Sequence, residues 1–270
     1  MKVLTMTAWR RPDYFKEVIE SLEEAEGIDE YILLVSIDGG YPDKQEEMMD
    51  ILQESSLNSE VFPHKTNIGC AGNTGFILKE GFSRAERVIH VEDDTVFHPD
   101  AISWFEFNLD KYEHDERIFS VSGYTRDGNS LTGEWEEPNL VGLRDWFHCW
   151  GWATWKRVWN EIPIWFGIHW KEGIGTAHEG RQSRGDDFLQ YVDMSDKGSW
   201  GVPMNHYWRA DRMEICPHTS FVQNIGREDS TWAIEEVWRF KHRTERFRPD
   251  IRVSDFDTFF VDDYLEGVVS

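Results

Sequence analysis

The stretch Val88-Ile89-His90-Val91-Glu92-Asp93-Asp94-Thr95 places three consecutive acids directly after an apolar run. Carboxylates at contact raise each other's pKa, so gathering three is unfavourable unless a cation offsets the charge. Hard oxygen ligands suit Mg²⁺ or Mn²⁺, which in turn bridge diphosphate oxygens. A solvated acidic turn is the plain alternative in a chain with 51 Asp and Glu against 28 Lys and Arg. The position at a strand end, followed by Phe97-His98-Pro99-Asp100, favours the cation. A second acidic pair, Asp186-Asp187, follows Gly185 and opens an apolar-patterned segment. By themselves these two acids read as the cap of a helix, where the helix dipole favours negative charge.

The elements that must position these groups alternate through the first 100 residues. Lys2–Thr7 reads as a strand and Pro12–Glu24 as a helix with Pro in its first turn. Tyr31–Ile37 is a buried strand ending in the turn residues Asp38-Gly39-Gly40. Asp43–Gln53 is a polar helix with Met48, Met49 and Leu52 on its apolar side, and Glu60–His64 is a short strand. Asn67–Asn73 is a Gly/Asn loop leading into a helix over Thr74–Ser83. Its spacing matches neither a Walker loop nor a dinucleotide fingerprint, so a plain loop accounts for it as well as a phosphate cradle. Arg87–Val91 is the next strand. Such alternation implies a largely parallel sheet with helices on both faces. Ligands bind beyond the carboxyl ends of such strands, where Asp38 and Glu92-Asp93-Asp94 both fall.

Beyond position 100 the pattern changes. Ile102–Tyr112 reads as a helix, Ile118–Gly123 as a strand, Thr125–Pro138 as a polar loop and Asp186–Asp196 as a helix. Glu235–Arg246 is a mixed-charge helix, and Asp255–Gly267 an acidic-aromatic tail. No repeat or linker divides the chain. The expectation is a single domain over 1–270, with a nucleotide-binding half at 1–100, an acceptor and catalytic half at 101–234, and a C-terminal helix and tail at 235–270.

A formal charge of −23 repels nucleic acid and anionic membranes, so neither is expected as a partner. No segment has the apolar length of a transmembrane helix, and the first residues lack the apolar region and cleavage site of a signal peptide. Cys70, Cys149 and Cys216 are scattered without a C-x-x-C pair, which argues against a disulfide framework and a cysteine zinc site. A cytoplasmic, soluble protein with reduced thiols is expected. Trp is frequent, at 14 residues, with many between Trp135 and Trp170. Core packing takes most Trp in most proteins, but exposed rings among them suit stacking on sugars.

Several of these segments, in this order, resemble nucleotide-sugar-dependent glycosyltransferases of the GT-A fold, with the N-acetylglucosaminyltransferase I group most similar. Thr7-Ala8-Trp9-Arg10-Arg11-Pro12 is similar to the first-strand exit whose Arg holds the donor nucleotide, a place Arg11 fits. Val35-Ser36-Ile37-Asp38-Gly39 resembles the segment whose Asp contacts the base. Val91-Glu92-Asp93-Asp94 looks like that group's form of the Asp-x-Asp motif. The resemblance implies donor contacts from Glu92, Asp93 and Asp94, with Asp93 towards the ribose and Asp94 on the metal, Mn²⁺ or Mg²⁺. Ser120-Val121-Ser122-Gly123-Tyr124 is similar to the following strand. Trp150-Gly151-Trp152-Ala153-Thr154-Trp155 resembles a segment in which Gly151 and Trp152 would line the sugar and acceptor side. Gly185-Asp186-Asp187-Phe188 looks like the acidic pair that supplies the catalytic base.

The resemblance therefore implies a GT-A-type, Rossmann-like α/β sheet fused to an acceptor-side subregion. The implied activity is metal-dependent, inverting transfer from a nucleotide sugar, UDP-sugars favoured, to a glycan or glycoconjugate hydroxyl. Asp186 or Asp187 would take the acceptor's proton, with Asp186 preferred. Arg11, and Arg181 or Arg184 before the acidic pair, would balance leaving-group charge, and Gly173–Gly185 would form a donor-ordered lid. Trp232 departs from the pattern, standing where related bacterial transferases often carry His after Asn224-Ile225-Gly226. Two rivals share part of this signature. A sugar nucleotidyltransferase needs a Gly-rich basic loop after the first strand, where this chain has Trp9-Arg10-Arg11-Pro12. A non-catalytic sugar-binding protein explains the Trp surplus but not two separate acidic sites.

Overall fold

The computed structural model describes residues 1–125, 141–144, 147–161, 212–226, 261–262 and 265–266. The segments expected at Gly173–Gly185, Asp186–Asp196 and Glu235–Arg246, all of Thr125–Pro138 but Thr125, and most of Asp255–Gly267 lie outside the described residues, as do Arg181, Arg184, Asp186, Asp187 and Trp232.

The chain begins with strand β1 (Lys2–Ala8), helix α1 (Pro12–Glu23), strand β2 (Tyr31–Ile37), helix α2 (Pro42–Glu54) and strand β3 (Ser59–Pro63). Helix α3 (Gly69–Arg84) then leads to β4 (Arg87–Glu92) and a short β5 (Thr95–Phe97). α1 forms because Pro12 presets its first turn and Phe15, Val18, Ile19 and Leu22 repeat at helical spacing, all buried. β2 reads Tyr-Ile-Leu-Leu-Val-Ser-Ile and is buried at all but one position, as a strand covered on both faces must be.

These strands lie in the order β3-β2-β1-β4, all parallel. The chain moves outward from β1 to β3 and then returns to β4. Right-handed crossovers therefore set α1 and α2 on one face and α3 on the other.

The sheet does not stop at β4. Helix α4 (Ala101–Lys111), β6 (Ile118–Ser122), β7 (Val141–Arg144), β8 (Trp152–Trp155), α5 (Lys156–Trp159), β9 (Met213–Pro217) and β10 (Val222–Asn224) follow. β8 lies antiparallel between β4 and β6, and β9 and β7 extend the sheet to eight strands among the described residues. The largely parallel sheet expected from the sequence is thus the first half of a mixed one. β10 pairs instead with β5 in a separate two-stranded ribbon, setting Asn224 opposite Thr95.

Two sequence expectations change here. The Gly/Asn stretch Asn67–Asn73 is not a loop throughout, because α3 already begins at Gly69. Asp38 accepts the Ile68 and Gly69 amides at 2.8 and 3.0 Å, fixing the helix start. Asn73 is buried and donates its side-chain amide to the Ala8 and Ser36 carbonyls, tying the first turn to β1 and β2. The tryptophans of the middle region also serve the core: Trp104, Trp152 and Trp155 are among the largest fully buried side chains. The Trp104 and Trp155 indoles donate to the Ser122 and Leu109 carbonyls at 2.9 and 3.0 Å, which satisfies the polar atom each ring carries inward.

One buried charge pair sits at the far side of the sheet. Glu214 on β9 accepts from Arg144 Nε at 2.5 Å and from Ser120 Oγ at 2.7 Å, and the His148 amide lies 3.2 Å from it. Burial pushes the Glu214 carboxyl up, against the opposing pull of Arg144 and these donors. No helix among the described residues is long and apolar enough to cross a membrane.

Candidate donor and metal site

The exits of β1 and β4 are neighbours in the sheet, with Thr7 opposite Glu92. The residues that follow each strand therefore meet above the sheet edge. Arg11, the residue before α1, extends one guanidinium nitrogen to Asp93 Oδ1 and the other to Asp94 Oδ2, the latter at 2.8 Å. The Trp9 amide donates to Asp93 Oδ2 at 3.2 Å, so both oxygens of Asp93 are held from the β1 exit.

Asp94 is held from a third direction. Asn224 Nδ2 donates to its Oδ1 at 2.7 Å, and the Ile225 amide donates to its backbone carbonyl at 2.7 Å. The Gly226 amide in turn donates to Asn224 Oδ1 at 3.0 Å. Gly226 has no room for a side chain, since a Cβ there would lie 2.3 Å from Asp94 Oδ2. Sequence reasoning quoted Asn224-Ile225-Gly226 without giving it a role. Only the β5–β10 pairing, which brings 222–224 against 95–97, reveals one.

The electrostatics follow from burial. Burial pushes the Asp94 carboxyl up to about 6, the Asp93 charge adds to the rise, and Arg11 and Asn224 oppose it. For Arg11, burial works to lower the pKa, but the charges of Asp93 and Asp94 outweigh it and the net shift is upward. Glu92 is half-buried at the end of β4, and its charge helps to raise the Cys149 thiol, which burial raises most.

Asp38, expected as a contact to the base, is held by backbone amides. Its Oδ1 accepts the Gly39 and Ile68 amides, both at 2.8 Å, and its Oδ2 accepts the Gly69 amide at 3.0 Å. It is buried and clamps the β2 exit to the start of α3. Beside it the Trp9 indole donates to the Gly39 carbonyl at 3.0 Å, and the Trp9 and Tyr41 rings meet edge to face.

On the other flank, Gly151 and Trp152 are packed inward rather than lining an open surface. Gly151 adopts φ +55°, and a Cβ on it would lie 2.8 Å from Val222. Trp152 is fully buried on β8, with its ring against His90 and Phe147. The half-buried Trp150 does reach outward, in a cluster with Tyr124 and His148 whose ring centroids lie 4.4–4.9 Å apart. Both faces of β8 are covered, since all four of its residues are buried, so no ring of that strand is left on the surface.

Among the described residues, no group of three or more His, Cys, Asp or Glu side chains gathers as a cation site. Asp94 can act as a single hard-oxygen ligand. This fits Mg²⁺ or Mn²⁺, which keep several waters and draw further ligands from a bound diphosphate. One Asp94 oxygen is committed to Asn224 and the other meets Arg11, so a cation would share the Arg11 side of the carboxylate.

Comparison with known proteins agrees with this region. The profile of the GNT-I family matches residues 74–190. A curated relative, the alpha-1,3-mannosyl-glycoprotein 2-beta-N-acetylglucosaminyltransferase of Arabidopsis thaliana, is 26% identical over 116 residues, which is 42% of this chain and 26% of the relative. The match therefore spans about a quarter of that relative's length. Among solved structures, the chain is similar to the mannosyltransferase PcManGT from Pyrobaculum calidifontis in complex with GDP-Man and Mn²⁺, at 12% identity and TM-score 0.48, covering 78% of this chain and 68% of that one. An active-site mutant of LgtC gives 13% identity and TM-score 0.44, covering 89% and 100%. S. aureus TarS residues 1–349 in complex with UDP-GlcNAc gives 19% and 0.38, covering 45% and 34%. From Thr74 to Gln190, through β4 with its acidic triplet and onward past β8, this chain is similar to the GNT-I family.

Proposed function

We propose that this protein is a metal-dependent, inverting glycosyltransferase that moves a sugar from a nucleoside-diphosphate sugar to a glycan or glycoconjugate hydroxyl. The observation that carries the reading is the convergence of Arg11, Asp93, Asp94 and Asn224 at adjacent strand exits. Such a place beyond the carboxyl ends of parallel strands is where α/β sheets bind nucleotides. The Trp9 and Tyr41 rings and the exposed Ile68 offer apolar faces for a base beside the Asp38 clamp, and a UDP-sugar is the favoured donor.

In this reading Asp94 holds Mn²⁺ or Mg²⁺ together with the donor's diphosphate. When bound, the cation offsets negative charge on the diphosphate. Arg11 adds positive charge beside it. The acceptor oxygen attacks the anomeric carbon as its proton passes to Asp186 or Asp187. The bond from that carbon to the diphosphate oxygen breaks, and the nucleoside diphosphate leaves with the electron pair. Trp150, with Tyr124 and His148, supplies the aromatic surface for a sugar ring. Three free cysteines suit a reducing, cytoplasmic setting.

The test is thermal stability with UDP-, GDP- and dTDP-sugars, each with and without Mn²⁺, on wild type and Asp94→Ala. A Mn²⁺-dependent rise with one nucleotide, lost in the variant, supports the donor site. Release of that nucleoside diphosphate with a hydroxyl acceptor, lost in Asp186→Asn or Asp187→Asn, separates transfer from mere sugar binding. NMR of the product's anomeric proton then reads inversion. No shift with any donor would remove the transferase reading and favour a sugar-binding protein.

A further inference from the structure

Among the described residues, Asp94 is fixed on every side but one. Asn224 holds its Oδ1, the Ile225 amide holds its carbonyl, and the Gly226 backbone leaves no space beside Oδ2. The remaining approach is filled by Arg11 Nη1 at 2.8 Å. Arg11 is also the most exposed member of the group, with its side chain 19% exposed against 6% for Asp93 and 8% for Asp94. The Arg11 side chain is thus the member of the group nearest to solvent. We propose that Arg11 is an internal place-holder for the divalent cation, occupying Asp94 Oδ2 until cation and diphosphate arrive together and then releasing Asp94. The inference rests on the metal-dependent reading above.

Three features make the exchange workable. A guanidinium and a divalent cation at the same carboxylate oxygen repel each other, so each weakens the hold of the other. Arg11 has a second anchor on Asp93 and the Tyr14 ring 5.6 Å from its guanidinium carbon, so it can leave Asp94 without leaving the site. Without the cation, the buried acids keep a counter-charge, and the empty site is not strained by two facing carboxylates. A free cation must then compete with Arg11 unaided, whereas a cation arriving with a diphosphate brings extra ligands. Binding of the two is synergistic, and Arg11 is the source of the synergy.

The experiment is a Mn²⁺ titration read by the EPR signal of free Mn²⁺, with and without UDP, on wild type, Arg11→Gln, Arg11→Lys and Asp94→Asn. The expected result is weak Mn²⁺ binding to wild type alone, tightened at least tenfold by UDP. Arg11→Gln should bind Mn²⁺ alone about tenfold more tightly than wild type, with the UDP effect reduced. Arg11→Lys, which cannot reach both carboxylates through two nitrogens, should fall between them and carries the test should Arg11→Gln fail to fold. Equal or weaker Mn²⁺ binding by both Arg11 variants, with Asp94→Asn abolishing it, overturns the place-holder and leaves the metal reading intact. Mn²⁺ binding that is absent from wild type with UDP, or unchanged in Asp94→Asn, overturns both.

Discussion

Asn224 donates its side-chain amide to Asp94 Oδ1 across 130 residues of chain, and the short β5–β10 ribbon is what brings the two together. A hydrogen bond of this kind orients an acidic group without touching what that group binds. Partners behind a metal ligand commonly contribute 10–100-fold to metal affinity or activity. Asn224→Ala should therefore lower Mn²⁺-dependent donor binding by about that factor while the protein still folds. Calorimetric titration with UDP and Mn²⁺ measures it, and an unchanged Kd would deny Asn224 a part in placing Asp94.

Gly226 gives a steric test of the same relationship. A methyl group there would lie 2.3 Å from Asp94 Oδ2 and 3.2 Å from Arg11 Nη1, so the Arg11–Asp94 contact must yield. Gly226→Ala should cost about 1–3 kcal/mol of stability by overpacking and remove the Mn²⁺-dependent thermal shift with nucleotide. Melting curves in EDTA and in Mn²⁺ with UDP separate the two effects.

Asp38 should reveal itself as a clamp. Its carboxylate accepts three backbone amides, at Gly39, Ile68 and Gly69. Removing the acceptor leaves the buried Gly39 amide unsatisfied, at about 1–3 kcal/mol, and frees the partly exposed Ile68 and Gly69 amides that start α3. Asp38→Ala should lose roughly 3 kcal/mol in urea unfolding with no nucleotide present. A residue that served only to contact a base would lose stability only relative to the nucleotide-bound protein.

The two neighbouring tryptophans should separate cleanly. Trp152 is fully buried, and Trp152→Ala should destabilise by about 3–5 kcal/mol, as loss of a core aromatic does. Trp150 is half-buried on the Tyr124–His148 cluster, so Trp150→Ala should leave unfolding within about 1 kcal/mol of wild type and act chiefly on acceptor KM. Urea titrations and acceptor kinetics on both variants decide the assignment.

His90 supplies a pH signature. It is fully buried on β4, its Nδ1 lies 3.0 Å from Thr5 Oγ1, and burial pushes its pKa down to about 3. The unfolded chain binds a proton near pH 6.5 that the folded chain refuses, so stability falls as pH drops below 6.5 and continues to fall towards 3. From pH 7 to pH 5 this amounts to about 2 kcal/mol. His90→Asn, whose amide reaches the Nδ1 position, should lose about 2 kcal/mol less than wild type over that interval, measured by urea unfolding at both pH values.

What the sequence made legible follows from the range of the forces involved. Tyr31–Ile37 matches its strand to the residue because an unbroken apolar run bounded by turn residues has one local solution. That the acidic triplet stands beside the β1 exit follows from the alternation of strands and helices, because the ends of neighbouring parallel strands lie together. The start of α3 was misplaced because Asp38 and Asn73 fix it through contacts from other strands, which override the Gly-rich local signal. The burial of Trp152 is not legible locally, because it depends on β8 inserting between β4 and β6. The contribution of Asn224 and Gly226 was hidden for the same reason as the Arg144–Glu214 pair: each depends on a pairing between distant strands.

That last pair has a consequence for how the sheet is completed. Among the described residues β7 ends the sheet opposite β3, and it meets β9 with Arg144 opposite Glu214. Shifting it by one residue would turn Arg144 to the opposite face, stranding the Glu214 carboxylate in the interior without its counter-charge, at about 3–5 kcal/mol. The ion pair thus works as a proofreading device for strand alignment. It adds little to the depth of the native well but raises the one-residue slip above it.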